Sequence, residues 1–164
     1  MKTKIKLTVF FIWIIALITG CSKDEDKSID RTTASYPAVI STGNNLFNVR
    51  IDGAVFTPTY ISGTISDGKI NIDANKNGGE ESVKITLPSD ITAGTYTLVA
   101  FDTYSAQYNS FGSHLLMVSN GSVTIVEHNT VTEKIVGSFN FAATEFPTGN
   151  LTANLTSGSF TIFH

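Results

Sequence analysis

The stretch that decides the fold is Asn45–Phe56, "NLFNVRIDGAVF". Phe47, Val49 and Ile51 alternate with polar residues, which is the period-two pattern of a β-strand with one buried face. Asp52-Gly53 separates this run from a second apolar run, and an Asp-Gly pair in that position favours a tight hairpin. The stretch therefore predicts two antiparallel strands joined by a two-residue turn.

The same rhythm continues to the end of the chain. Asp67-Gly68 and Asn120-Gly121 predict further hairpin turns, and turn signals recur at the spacing of about 8–12 residues that is typical of β-sandwiches and barrels. We therefore predict an all-β fold, either an antiparallel β-sandwich or a flattened β-barrel. It is expected to form a single domain over residues 44–164.

The first residues have the layout of a secretory signal peptide. Residues 2–6 carry three lysines, and Leu7–Ile18 is apolar apart from Thr8. A membrane anchor helix is the alternative, but this apolar run is shorter than the roughly twenty residues that a spanning helix needs. We expect residues 1–20 to be removed as a signal peptide.

The one cysteine of the chain follows directly after this segment. Ile18-Thr19-Gly20-Cys21 resembles a bacterial lipobox, which implies cleavage before Cys21 and acylation of that residue. A disulfide within the chain would need a second cysteine, whereas two or more acyl chains hold a protein stably on a membrane. We expect Cys21 to be lipidated and the polar segment 21–43 to form a flexible tether.

The charge of the chain bears on which partners it can bind and on where it is located. Removal of residues 1–20 takes away three of the eleven Lys and Arg and none of the fourteen Asp and Glu, so the net charge falls from −3 to −6. An acidic chain without a basic patch argues against nucleic acid and against electrostatic binding to anionic lipids. Lys23–Asp26 resembles the acidic surface-export signal of Bacteroidota lipoproteins. We expect a lipid-anchored outer-membrane protein, on the cell surface or on the periplasmic face.

Asp73, Asn75 and Asn77 match the start of a calcium-binding loop. Oxygen ligands stand at alternate positions, and Gly78 occupies the sixth position, where such a loop turns sharply. The pattern fails at the twelfth position, where Lys84 replaces the bidentate glutamate. A glycine-rich hairpin turn is the preferred interpretation, and we expect no cofactor.

Aromatic residues are spaced among Ser, Asn and Gln between positions 101 and 114. Tyr104, Tyr108 and Phe111 are candidates for a ligand-binding surface, because a ring offers a large apolar area with a polar handle. The alternative is that they pack inward, and the shared parity of Tyr104 and Tyr108 on a strand favours it.

No pattern in the chain predicts catalysis. His114, His128 and His164 are far apart, and none stands in a recognised nucleophile, metalloprotease or phosphate-binding motif. We expect the protein not to be an enzyme.

Three short motifs carry a resemblance that covers about residues 46–163. They are Gly94-Thr95-Tyr96, Gly137–Phe141 ("GSFNF") and Gly158–Phe160 ("GSF"). With the lipobox and tether, they resemble small Bacteroidota lipoproteins grouped as a domain of unknown function. Many members place tryptophan after the first turn, where this chain has Phe56. The resemblance implies a fold and a location, and it implies no activity.

The functional expectation follows from location and fold. We expect a membrane-anchored envelope lipoprotein that acts as a non-catalytic binding or interaction module, with a glycan, a protein or a small apolar molecule as ligand. The alternative is a purely structural envelope protein with no small-molecule site. A hollow barrel would favour a small ligand, whereas a filled core would favour surface contacts.

Overall fold

The computed structural model describes residues 40–42, 44–111 and 114–164. The predicted signal peptide, Cys21 and most of the predicted tether lie outside these residues. The described chain forms a single all-β domain with eleven strands, which are β1 Ile40–Thr42, β2 Asn45–Ile51, β3 Ala54–Phe56, β4 Tyr60–Ser66, β5 Lys69–Lys76, β6 Glu81–Pro88, β7 Gly94–Thr97, β8 Ser105–Ser110, β9 His114–Asn129, β10 Lys134–Glu145 and β11 Thr152–Phe163. One short 3-10 helix, Asn77–Gly79, connects β5 to β6. In these three ranges, no helix is long and apolar enough to cross a bilayer.

All eleven strands belong to one antiparallel sheet. Its order is β1-β2-β11-β10-β9-β8-β6-β5-β4, and β3 and β7 pair with β2 and β9 outside this path. The sheet curls into a half-barrel, so the predicted antiparallel all-β class is confirmed. β1 lies within the segment 21–43 that the sequence predicts as a tether, and it pairs with β2.

The two sides of this curled sheet meet at the start of β2. The side-chain oxygen of Asn45 accepts a hydrogen bond of 2.8 Å from the backbone N–H of Phe163, and its Nδ2 donates one of 3.4 Å to the carbonyl of Ile61. A Cβ on Gly63 would lie only 2.2 Å from Cγ2 of Ile162. Because Gly63 has no side chain, β4 can therefore lie directly against β11.

A contiguous cluster of apolar side chains covers the inner face of the sheet. Val83, Ile85 and Leu87 on β6 have no exposed surface, as their alternation in the sequence predicts. No polar or charged side chain is fully buried among the residues that the structure describes. The largest fully buried side chains include Phe47, Ile70, Ile72, Leu116, Ile125, Ile135, Leu155 and Ile162.

Two of the three predicted hairpin turns are confirmed. Asp52-Gly53 and Asp67-Gly68 connect neighbouring strands, and all four residues have the positive φ that such two-residue turns require. The prediction for Asn120-Gly121 is wrong, because both residues lie inside the continuous strand β9. A Cβ at Gly121 would lie 2.3 Å from Cβ of Phe141 on β10. This glycine therefore permits two strands to approach closely, and the chain does not reverse there.

Candidate functional site

The long strands β9, β10 and β11 are irregular in the middle. Ser119 is an extra residue on β9, because the adjacent residues Ala142 and Ala143 of β10 pair with Asn120 and Val118. A second irregularity lies on β11 at Ser157, whose φ is +53°. Bulges of this kind bend a strand and increase its twist, and an outward-facing groove lies at this bend.

The groove has a volume of about 390 Å³. Its lining residues are mostly small and polar, and they are Thr97, Asn120, Gly121, Ser122, Asn140, Phe141, Ala142, Asn154, Leu155 and Thr156. None of these ten residues carries a charge, and we therefore call this site the neutral groove. The volume falls within the range of small-molecule sites, about 300–1,000 Å³.

Three asparagine side chains are available at this groove. Asn120, Asn140 and Asn154 are exposed, and no hydrogen bond joins their side chains to any other residue that the structure describes. The backbone of Asn154 is fixed against Asp52. Its N–H donates to the Asp52 carboxylate at 2.8 Å, and its carbonyl accepts from the Asp52 N–H at 2.9 Å. A carboxamide has two donor hydrogens and an acceptor oxygen, so the groove presents neutral groups that can both donate and accept hydrogen bonds.

A second groove of about 380 Å³ has a different character. Its lining includes Lys69 and Lys84 together with Asp67 and Asp102, so both signs of charge are present. Phe101 also lines it and is 68% exposed. The Phe101 ring meets the ring of Phe146 edge-on, with the centroids 5.1 Å apart. This groove therefore combines charged groups with an exposed aromatic ring.

The structure does not present the three predicted aromatic residues as one exposed surface. Tyr108 is buried in the core, and its hydroxyl donates a 2.7 Å hydrogen bond to Glu81. Burial is the larger cause and the hydrogen bond to the Glu81 carboxylate the smaller one, and both raise the pKa of Tyr108 well above its ordinary value. Tyr104 is half-buried and stacks on Tyr96 at 4.7 Å, whereas Phe111 is exposed in the turn after β8. The inward packing that the sequence offered as the alternative holds for Tyr108, and Tyr104 also packs against the core cluster.

The three residues of the calcium-like pattern lie on a strand and a turn. Asp73 and Asn75 are on β5, opposite Lys84 and Ser82 of β6, and Asn77 begins the 3-10 turn with a φ of +51°. Burial raises the pKa of Asp73, and the positive charge of Lys84 opposes that shift. Within the described ranges, no group of three or more His, Cys, Asp and Glu is placed to hold a metal ion.

The histidines, which are far apart in the sequence, have partners in the fold. Nε2 of His128 lies 3.3 Å from Nε2 of His164, and Nδ1 of His114 lies 2.6 Å from a carboxylate oxygen of Glu145. Burial and the neighbouring His128 lower the pKa of His164. Hydrogen bonds from Thr148 and His114 lower the pKa of Glu145. Sequence reasoning missed the His128–His164 pair because strand pairing alone brings it together.

The groove was also missed, and one signal could have pointed to it. Asn120, Asn140 and Asn154 stand at outward positions of strands, where polar residues are ordinarily only solvated. Asn140, however, lies inside the motif Gly137–Phe141 that carries the family resemblance. This position in the motif made Asn140 a candidate binding residue, although the strand periodicity alone did not suggest one.

A family model described as a domain of unknown function, DUF6252, matches residues 43–162. No curated protein and no solved structure matches the chain. The match covers β2 to β11 almost completely, and it includes every residue that lines the neutral groove.

Proposed function

The chain belongs to the DUF6252 family, a domain of unknown function, and on that premise we propose that it is a lipid-anchored envelope protein with a non-catalytic binding function. Its ligand is a neutral, hydroxyl-rich molecule such as a glycan. The binding site is the neutral groove across β9, β10 and β11.

The observation that carries this proposal is the set of three exposed carboxamides around one groove. A sugar hydroxyl both donates and accepts hydrogen bonds, and so does the side chain of Asn120, Asn140 or Asn154. Because no charged residue lines the groove, it offers no ion pair to a phosphate or a carboxylate. A neutral polyol is the ligand class that these groups match best.

The same lining supports a non-catalytic role. General acid–base chemistry requires a side chain that gains or loses a proton near the working pH. No Asp, Glu, His, Cys, Lys or Tyr lines this groove. Its residues can bind and orient a ligand, but none of them is suited to transfer a proton.

The packed inner face favours a ligand on the outside of the sheet. Phe47, Phe139 and Phe160 belong to the contiguous core cluster and fill space that a hollow barrel would leave for an apolar guest. A small apolar ligand is therefore the less favoured alternative, and a purely structural envelope protein is the other.

The anchor rests on the sequence around Cys21. A basic region, an apolar run and the lipobox-like Ile18-Thr19-Gly20-Cys21 support lipidation of that cysteine, through which the membrane is a partner. The acidic residues 24–26 support the outer membrane of a Bacteroidota cell as the location, with display at the cell surface.

The ligand can be tested with an array of neutral oligosaccharides probed with the full chain. Asn140→Ala and Asn154→Ala each remove one carboxamide, so we expect binding to weaken about five-fold for each hydrogen bond lost. Asn150→Ala is the matched control, because Asn150 is also exposed but does not line the groove. If the parent chain binds no neutral glycan, the glycan proposal is wrong and the structural alternative is favoured.

The anchor can be tested separately in cells. Radiolabelled palmitate should enter the parent chain and should not enter Cys21→Ala. Protease added to intact cells should digest the β-domain if it is displayed at the surface, whereas complete protection would assign it to the periplasmic face.

A further inference from the structure

A pair of histidines lies where β9 and β11 end on either side of β10. His128 on β9 is opposite Ile135, and Ile135 is opposite Ile162 on β11. His164 follows Ile162 by two residues, so the pairing of three strands brings the two rings together. Their Nε2 atoms are 3.3 Å apart, and the ring planes are tilted by 57°.

The far side of the His128 ring determines which nitrogen is free. Nδ1 of His128 lies 2.8 Å from the carbonyl oxygen of Ile91. A carbonyl can only accept, so Nδ1 carries the hydrogen, and Nε2 of the neutral ring has its lone pair directed at His164. Metal-binding histidines commonly have this arrangement, with one ring nitrogen bonded to a backbone carbonyl and the other on the metal.

We propose that His128 and His164 form a binding site for a divalent transition-metal ion of the zinc type, with both Nε2 atoms as ligands. A Zn–N bond is about 2.0–2.1 Å long, so two nitrogens 3.3 Å apart subtend an angle of about 107° at the metal, close to the tetrahedral value. In the metal-free protein, a hydrogen bond from the Nε2–H of His164 to Nε2 of His128 also fits this separation. A metal ion would displace that proton and take the lone pairs of both nitrogens.

The surroundings of the pair are compatible with a cation. Both side chains are half-buried, so an ion can reach them from solvent. The N–H of His164 donates a 2.9 Å hydrogen bond to the Glu133 carbonyl, which fixes the backbone there. Nδ1 of His164 is buried without a partner among the described residues, so placing the ring proton there to free Nε2 has a cost that metal binding must offset.

The described residues supply only two ligands, so the remaining coordination positions go to water or to an added donor. Zinc sites that keep such open positions bind exogenous molecules, whereas closed four-ligand sites do not. The histidine pair shares no residue with the neutral groove. The metal proposal therefore stands or falls independently of the proposed glycan.

Titration with ZnCl₂ tests the site. The protein is the full chain with the substitution Cys21→Ser, which removes its one thiol, purified without a polyhistidine tag and treated with EDTA. We expect a saturable one-site isotherm by calorimetry and a rise in Tm on addition of Zn²⁺, because a ligand that binds only the folded state stabilises it. An absence of saturable binding overturns the proposal.

Three variants assign the ligands. His128→Asn keeps a donor for the Ile91 carbonyl but removes Nε2, and His164→Phe keeps the ring volume without a nitrogen. Each should abolish both the isotherm and the rise in Tm. His114→Asn is the control, since His114 is bonded to Glu145 and not to the pair, and it should change neither. If both pair variants still bind zinc like the parent, or if His114→Asn abolishes binding, the assignment is wrong. The Tm measured without zinc shows which variants fold. If His128→Asn does not fold, the result for His164→Phe decides the assignment.

Discussion

Gly158 on β11 lies directly opposite Phe139 on β10, and the ring of Phe139 occupies the space that a side chain at position 158 would need. A Cβ at Gly158 would lie 2.6 Å from ring atoms of Phe139. The reciprocal pair follows on the same two strands, since Gly137 is opposite Phe160 and a Cβ there would lie 2.7 Å from that ring. The two Gly-x-Phe motifs of the sequence therefore complement each other across one strand pair, where an aromatic ring covers each glycine.

Gly158→Ala should lower the free energy of unfolding by about 1–3 kcal/mol, the usual cost of an overpacked core. The three atoms nearest to the added Cβ all belong to the ring of Phe139, so Phe139→Leu should relieve the clash. In a double-mutant cycle followed by urea denaturation, we expect Gly158→Ala to cost less in the Phe139→Leu background. Equal costs in both backgrounds would show that the ring does not restrict position 158.

Local signals in the sequence were sufficient to predict the fold class. Asp52-Gly53 and Asp67-Gly68 each connect two strands that are adjacent in sequence. They form turns because Asp and Gly tolerate the positive φ that a two-residue hairpin requires. Asn120-Gly121 is also a dipeptide that is typical of hairpin turns, but its glycine allows β9 to approach Phe141 on β10. A dipeptide alone does not distinguish a turn from a close approach, because the neighbour responsible is twenty residues away.

The candidate sites were harder to predict because they depend on register. Asn120, Asn140 and Asn154 meet through pairings across three strands that bulges interrupt, and an extra residue changes which face each side chain occupies. His128 and His164 are likewise 36 residues apart. Composition and residue spacing do not determine these strand registers. Periodicity therefore predicted the strands, but it did not predict which side chains lie together on their outer faces.

Tyr108→Phe should remove the pH dependence of stability that begins near pH 10. Burial and Glu81 raise the pKa of Tyr108 in the folded protein above its ordinary value of about 10. The folded state therefore favours the neutral phenol, and this contribution is present below pH 10 and is lost as the pH rises further. Urea denaturation at pH 7 to 11 should show a steeper loss in the parent than in Tyr108→Phe.

At pH 7 the same variant should be less stable by about 1–2 kcal/mol, because the Glu81 carboxylate loses its hydrogen bond from the phenol. Tyr60→Phe is the matched control, since Tyr60 is 57% exposed. A parallel decline of Tyr108→Phe and the parent above pH 10 would contradict the assignment.

Asp73→Asn should stabilise the protein at pH 7. Burial raises the pKa of Asp73 more than the charge of Lys84 lowers it, so the folded state disfavours the carboxylate. A raised pKa contributes stability below the unfolded value that is lost as the pH rises through the folded value. We expect the free energy of unfolding to increase at pH 7 and not at pH 3, whereas Asn in place of the exposed Asp90 should change neither. A loss of stability at pH 7 would mean that the attraction to Lys84 dominates.

Calcium should not change the thermal stability of the protein. Asp73 and Asn75 lie on a strand opposite Lys84 and Ser82, and the positive charge of Lys84 disfavours a cation there. Tm measured with excess CaCl₂ and with EGTA should be the same, because an ion that bound only the folded state would raise Tm. A rise in Tm that Asp73→Asn abolishes would restore the calcium interpretation.

Asn45 should contribute to closure of the curled sheet through two hydrogen bonds of opposite direction. Asn45→Ala removes the acceptor for the Phe163 N–H and the donor to the Ile61 carbonyl, and should cost about 1–2 kcal/mol.

Asn45→Asp keeps the acceptor but places a carboxylate beside the Ile61 carbonyl. That carboxyl should prefer its protonated form, which can donate to Ile61, so its folded pKa should lie above the unfolded value. Relative to the parent, Asn45→Asp should therefore be less destabilised at pH 3 than at pH 7. Asn150→Asp, in an exposed loop, is the control and should show no such difference. Faster hydrogen exchange at the Phe163 amide in Asn45→Ala than in Asn45→Asp would locate the effect at this contact, and equal rates in the two variants would contradict it.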